Sequence, residues 1–247
     1  MTIHTHADAR HDTAGEGGWP MPMSVPRRLA FRAVRWQLRA RFLRIEMSGG
    51  FPPADDGRPL VIYANHHVYL DGILLLYLIQ SSLGRRPLAW MRGFDKFPNQ
   101  MLRFLGCMPF PAASIRGRTA TIRKTVRIMR GDPRSALVYF PEEVLHPVEE
   151  GLLPVADDRF ARLGRLFPHA LFQPVALAMY GWHESRPTVK VVAGNPHEGV
   201  SGREMENLKD LLAGPLRDPR LPSVTLLEGF PGLRGIYKRW HDGGRGS

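Results

Sequence analysis

Cysteine is nearly missing: the 247 residues include one, Cys107, so no internal disulfide can cross-link the chain and no set of thiols can hold a structural zinc. A reducing compartment is the expectation. Long apolar runs are missing as well. The longest, Ile73 to Ile79, falls far short of the roughly 20 residues a bilayer span requires. The opening Met1-Thr-Ile-His-Thr-His-Ala-Asp has no apolar stretch behind a basic start, so neither a signal peptide nor a spanning helix is expected. No internal repeat is visible. Acidic residues are the scarcer charge, 23 Asp and Glu against 34 Lys and Arg, which leaves a formal +11. Such a surface attracts polyanions, and both nucleic acid and anionic membrane qualify.

What is present suffices for one ordinary domain. With 43% hydrophobic and 23% charged residues, a collagen-like or wholly disordered chain is excluded. A chain this long buries roughly 70% of its unfolded surface without help from metal or cross-link. Residues 1–23 are small, polar and turn-forming, and read as a flexible tail. His4, His6 and His11 lie in it, with no helix or strand to fix them around a metal, so no metal site is assigned.

Residues 24–47 read as a basic amphipathic helix. From Pro26 to Ile45 the apolar residues Phe31, Val34, Leu38, Phe42 and Ile45 recur at steps of three and four. Arg28, Arg32, Arg35 and Arg39 form a stripe beside them, and Leu29, Trp36 and Leu43 a second apolar patch beyond it. Either the helix packs on the core with a solvated basic side, or one face docks on the domain while the Arg and Trp side rests on anionic lipid headgroups.

Residues 48–247 alternate short apolar runs with helical segments, the pattern of an α/β layer structure. Strands are expected at 60–64, 88–91, 107–110, 136–140, 171–178 and 188–192. Helices are expected at 72–83, 99–105, 119–130 and 158–166, and near 203–212.

The most informative stretch is Asn65-His66-His67-Val68-Tyr69-Leu70-Asp71, where a strand hands over to a helix. In one continuous helix His66 and Asp71 would stand about 140° apart, so a contact between them requires the helix to begin between them. A carboxylate then orients the imidazole, whose other nitrogen can take a proton from a hydroxyl. The alternatives are that Asp71 caps the helix and that His66 is an ordinary strand-end histidine. His67 is the rival base, but neighbours after a strand point apart. Cys107, inside a strand without a histidine partner, reads as core.

The block from Asn65 to Asp71 resembles the Asn-His-x-Ser-x-x-Asp (HX4D) block of the PlsC-type glycerolipid acyltransferases, the 1-acylglycerol-3-phosphate acyltransferase family, with Val68 in place of the serine. Phe140-Pro141-Glu142 is similar to the start of that family's Phe-Pro-Glu-Gly block, and Pro174-Val175-Ala176-Leu177 to its Pro-Val block. The resemblance runs from about 58 to about 194. It implies a mixed, largely parallel sheet flanked by helices, and transfer of an acyl group from acyl-CoA or an acyl-carrier-protein thioester to a lipid hydroxyl. His66 would be the base and Asp71 its orienting partner. Arg92, Arg116 and Arg118 would bind an anionic headgroup, and Glu142 would orient the acceptor or brace the arginines. No cofactor beyond the thioester is implied. The expected location is peripheral, on the cytoplasmic face of an anionic membrane.

Two departures matter. Glu143 stands where the family has glycine, and an acidic side chain there disfavours a phosphate monoester acceptor. The arginine usual near Ala112 is missing, with Arg116 and Arg118 a few residues later on what reads as a loop. These departures leave open a weakened member that binds lipid without acylating it. A nucleic-acid-binding domain is the other class the charge permits, but no RRM, KH or zinc-finger pattern is present, so no nucleic acid partner is assigned.

Overall fold

The computed structural model describes residues 23–230 except 97, 148–149, 157, 182–184 and 219. The tail and its histidines thus lie outside the described residues, apart from Met23, which is buried. In chain order the elements are α1 (Val25–Arg41), β1 (Arg44–Ser48), β2 (Leu60–Ala64), α2 (Leu70–Ser81), β3 (Arg86–Met91), a 3₁₀ helix (Asn99–Leu105) and β4 (Cys107–Pro109). There follow α3 (Ile115–Gly131), β5 (Ser135–Tyr139), α4 (Asp158–Leu166), β6 (Leu171–Tyr180), β7 (Thr188–Ala193), β8 (His197–Glu198), α5 (Glu204–Ala213) and β9 (Val224–Glu228).

The strands form one mixed, mostly parallel sheet in the order β4-β3-β5-β2-β6-β7-β1-β9, with β8 against β6. From β4 to β6 every pairing is parallel; β7 then runs antiparallel to β6, and β9 antiparallel to β1. Strand side chains alternate between faces. Leu60, Ile62 and Ala64 of β2 therefore join the core under α1 and α2, while Val61 and Tyr63 join the core under α3, α4 and α5.

The two helical layers follow from handedness. Right-handed crossovers place helices on one face when the chain moves one way along a parallel sheet, and on the other when it returns. The outward path from β2 through β3 to β4 carries α2 and the 3₁₀ helix. The return path from β4 through β5 to β6 carries α3 and α4.

Asn65 fastens β2 to β6 just beyond their ladder. Its Nδ2 donates to the Leu177 carbonyl at 2.9 Å and its Oδ1 accepts the Leu177 N–H at 2.8 Å, so the buried amide stands in for one more peptide unit. This contact ties the first and last of the three sequence blocks together.

The N-terminal helix is shorter than expected and gives way to a strand. Phe31, Val34, Leu38, Phe42 and Ile45 are all buried, but α1 stops at Arg41. Phe42 is extended, the Leu43 N–H donates to the Pro187 carbonyl at 2.9 Å, and Arg44–Ser48 pairs with β7 and β9. The local period alone continues the helix through Ile45, and tertiary pairing with β7 and β9 overrides it. Strands β8 and β9 were also absent from the sequence expectations.

Gly106 ends the 3₁₀ helix at φ +109°, and a Cβ there would lie 2.0 Å from the Pro87 carbonyl oxygen. Gly106→Ala is expected to cost about 2 kcal/mol or more, lowering the melting temperature by about 4 °C or more. An unchanged melting temperature would show that the β3–β4 junction relaxes freely.

Candidate active site

In parallel sheets, ligand crevices form at the carboxyl ends of strands where neighbouring connections diverge to opposite faces. Here that point lies between β2, whose exit leads to α2, and β5, whose exit leads towards α4. His66 follows β2, Glu142 and Glu143 follow β5, and Arg92 follows β3. The topology alone gathers these four residues at one edge.

A single carboxylate oxygen organises the turn after β2. Asp71 Oδ2 accepts the backbone N–H groups of His67 and Val68, each at 2.9 Å, and lies 3.4 Å from His66 Nδ1. Asp71 is almost fully buried and opens α2. It therefore holds the strand-to-helix turn and faces the imidazole at once, but it is not the helix cap: Tyr69 stands at the N-cap and Asp71 lies in the first turn. The 3.4 Å separation is looser than a charge-assisted bond, as is common at sites without substrate. The His66 ring stacks on Phe140, with centroids 4.0 Å apart and planes at 15°, and its side chain keeps 19% exposure. Nε2 makes no hydrogen bond to a described residue. The rival, His67, turns away: its Nδ1 lies 3.3 Å from the His146 carbonyl and its ring meets the edge of His146.

Glu142 is wholly buried and braces the loop after β5. Oε1 accepts the Leu153 N–H at 2.8 Å and lies 2.7 Å from His146 Nε2, while Oε2 accepts the His66 N–H at 3.3 Å. It makes no hydrogen bond or ion pair with Arg92, Arg116 or Arg118, which corrects the expectation that it braces the Arg cluster. His146, four positions after Glu142, was missed because no motif marks it and only the loop's conformation turns it onto that carboxylate.

That bracing of an arginine falls to Glu143. One carboxyl oxygen meets Arg92 Nη2 and the other lies 2.8 Å from Arg159 Nη1, which also donates to the Pro141 carbonyl at 2.9 Å. Glu143 has φ +59°, the one non-glycine residue with positive φ among those described. A left-handed glutamate costs about 1–2 kcal/mol, and half-exposed ion pairs return at most about 1 kcal/mol each. The loop keeps a glycine-type conformation without the glycine, so the departure from the family block lies in the side chain. Arg159 went unnoticed in sequence because it lies 16 positions after Glu143, on α4.

The remaining arginines are placed differently from the expectation. Ser114 caps α3 by accepting the Gly117 N–H at 3.0 Å, so Arg116 and Arg118 belong to the start of a helix and not to a loop. Arg118 donates to the Pro111 and Ala112 carbonyls. Arg116 is exposed. The structure brings neither into contact with His66, Glu142 or Glu143.

Among the described residues no cluster of three or more His, Cys, Asp or Glu has the arrangement of a metal site. No family model matches the chain, and no curated protein matches it.

Cys107 is buried in β4, and burial pushes its thiol up to about 12 from 9.0. Burial thus leaves far less thiolate near neutral pH, so alkylation of the native protein at pH 8 should be slower than that of the denatured chain by on the order of 100-fold or more. Equal rates, followed by mass spectrometry, would place Cys107 at an open surface.

Proposed function

We propose that the protein is an O-acyltransferase that moves a fatty acyl group from an acyl-CoA or acyl-carrier-protein thioester to a lipid hydroxyl, with the glycerolipid acyltransferase fold. The observation that carries this reading is His66 at the strand ends, with Nδ1 facing buried Asp71 and Nε2 making no hydrogen bond to a described residue. The three sequence blocks support it, since Asn65 joins the first to the third and Glu142 joins the second to the first.

The chemistry uses groups already in place. With its proton on Nδ1 towards Asp71, His66 presents a lone pair on Nε2. Nε2 takes the proton of the acceptor hydroxyl as that oxygen attacks the thioester carbonyl. The tetrahedral intermediate collapses, the C–S bond breaks, and the imidazolium returns its proton to the leaving thiolate. Asp71 stabilises the cation between these steps. The products are an ester and a free thiol, with no covalent enzyme intermediate. Glu142 sets the backbone of His66 and does not meet the reacting atoms.

Docking on an anionic membrane belongs to the same proposal. No helix among the described residues is long and apolar enough to cross a bilayer. On α1 the apolar side chains Val25, Leu29 and Trp36 are 67%, 58% and 65% exposed, with Arg28 and Arg32 beside them. Arg39 serves the fold, donating to the Glu228 carbonyl and lying over the Phe230 ring, and Arg35 is half-buried. The lipid-facing set is therefore Leu29, Arg32 and Trp36 rather than the whole arginine stripe. Leu43, expected in the patch, lies beyond the helix and is half-buried. α1 packs against α2, with Arg27 Nη2 donating to Gln80 Oε1 at 2.9 Å near the C-terminal end of α2, which leaves the opposite face of α1 to meet lipid.

Thiol release from oleoyl-CoA and an oleoyl carrier protein, over a panel of monoacyl lipids, tests the chemistry. His66→Ala should lose on the order of 100-fold or more in rate while remaining folded. Asp71→Asn should be similarly impaired yet keep its fold, because the amide oxygen still accepts the two backbone N–H groups. Full turnover by folded His66→Ala, or no release by the wild type with either donor, overturns the assignment.

For docking, sedimentation with anionic liposomes at low salt should pellet the wild type and leave the Leu29→Ser, Arg32→Gln, Trp36→Ser variant in solution, with wild-type binding falling as salt rises. Equal behaviour of the two proteins would assign this face another role.

A further inference from the structure

The Glu143 carboxylate lies between two guanidinium groups that reach it from different parts of the fold. Arg92, after β3, meets one oxygen, and Arg159, on α4, meets the other. Two forked donors converging at the carboxyl ends of parallel strands make an anion site by their chemistry alone. In this molecule the anion is the chain's own. The backbone at Glu143 takes a conformation that glycine adopts freely, and a glycine there would leave both arginines without this carboxylate.

We propose that Glu143 is a built-in anion that fills the Arg92–Arg159 clamp, so that the acceptor lipid carries an uncharged hydroxyl headgroup, a polyol or a sugar, and not a phosphate monoester. This inference rests on the acyl-transfer reading and names its acceptor class. A phosphate monoester brings close to two negative charges and competes with Glu143 for the same N–H groups. A cationic headgroup meets two arginines for one carboxylate. An uncharged polyol fits both partners: its hydroxyls donate to the carboxylate lone pairs that the ion pairs leave unused, and its oxygens accept from guanidinium N–H groups turned to solvent. Arg118 offers no substitute clamp, since it is turned to the carbonyls of Pro111 and Ala112. The half-exposure of Arg92, Glu143 and Arg159 keeps this cluster within reach of a ligand.

The test compares wild type, Glu143→Gly and the double variant Glu143→Gly, Arg92→Ala. One arm measures kcat/KM with oleoyl-CoA for monooleoylglycerol and for lysophosphatidate. The wild type should favour monooleoylglycerol by about tenfold or more. Glu143→Gly should gain about tenfold or more on lysophosphatidate, mainly in KM, and the added Arg92→Ala should remove the gain. The second arm needs no turnover: calorimetry should detect binding of glycerol 3-phosphate to Glu143→Gly and none to the wild type. Glu143→Gly should keep the wild-type fold, since relief of the left-handed backbone offsets the two ion pairs lost, and its melting curve checks this. Lysophosphatidate as the best wild-type acceptor overturns the proposal, as does an acceptor ratio unchanged by Glu143→Gly or equal binding of glycerol 3-phosphate to both proteins. Absence of thiol release from every protein defeats the acyl-transfer reading, while the calorimetric arm still decides whether Glu143 fills the clamp.

Discussion

The candidate site depends on one oxygen atom. Asp71 Oδ2 collects two backbone N–H groups from the turn after β2 and stands against His66 Nδ1. The backbone bonds make the turn, the turn aims the imidazole, and the same negative charge is available to a proton arriving on that ring. A carboxylate that holds its own backbone so firmly has little freedom left, which suits a positioning group whose orientation must survive substrate binding. Burial of Asp71 keeps this charge out of competition with water.

The sheet supplies the second constraint. Because β5 inserts between β3 and β2, the segments that follow all three strands end side by side. Residues more than 70 positions apart, such as His66 and Glu142, become neighbours through strand order and not through any local motif. Glu142 then occupies the space beneath the turn, linked to His66 on one side and to Leu153 and His146 on the other. Asn65 clamps the far side to β6. The turn that carries His66 is thus held from α2, β5 and β6 together, while the His66 side chain keeps some exposure.

Much of this was legible from residue order. The interior strands read correctly because they are buried on both faces and appear as continuous apolar runs bounded by turn residues. The pairing of His66 with Asp71 was legible because the strand-to-helix change fell between them. Elsewhere local patterns were ambiguous or silent. Phe42 and Ile45 continued the helical period of α1 while belonging to an extended segment whose identity depends on β7 and β9, more than 130 residues away. Glu142 and Glu143 are adjacent and chemically identical, yet one is buried beneath the turn and the other lies between two arginines. Only backbone direction after β5 separates their roles. Arg159 and His146 carry no signature of their own, because each gains its role from a glutamate: Arg159 from Glu143 through the packing of α4, His146 from Glu142 four positions earlier through the shape of the loop.

The central claim, that Asp71 holds the proton on His66 Nδ1 and leaves Nε2 as the base, has a direct spectroscopic signature. Histidine-selective ¹⁵N NMR, with His66 assigned by its loss in a His66→Gln protein, reports which ring nitrogen carries the proton in the neutral imidazole. The account predicts a protonated Nδ1 and an unprotonated Nε2 in the wild type, moving towards the opposite tautomer in Asp71→Asn. A His66 protonated on Nε2 in the wild type, or a tautomer indifferent to Asp71→Asn, would contradict it.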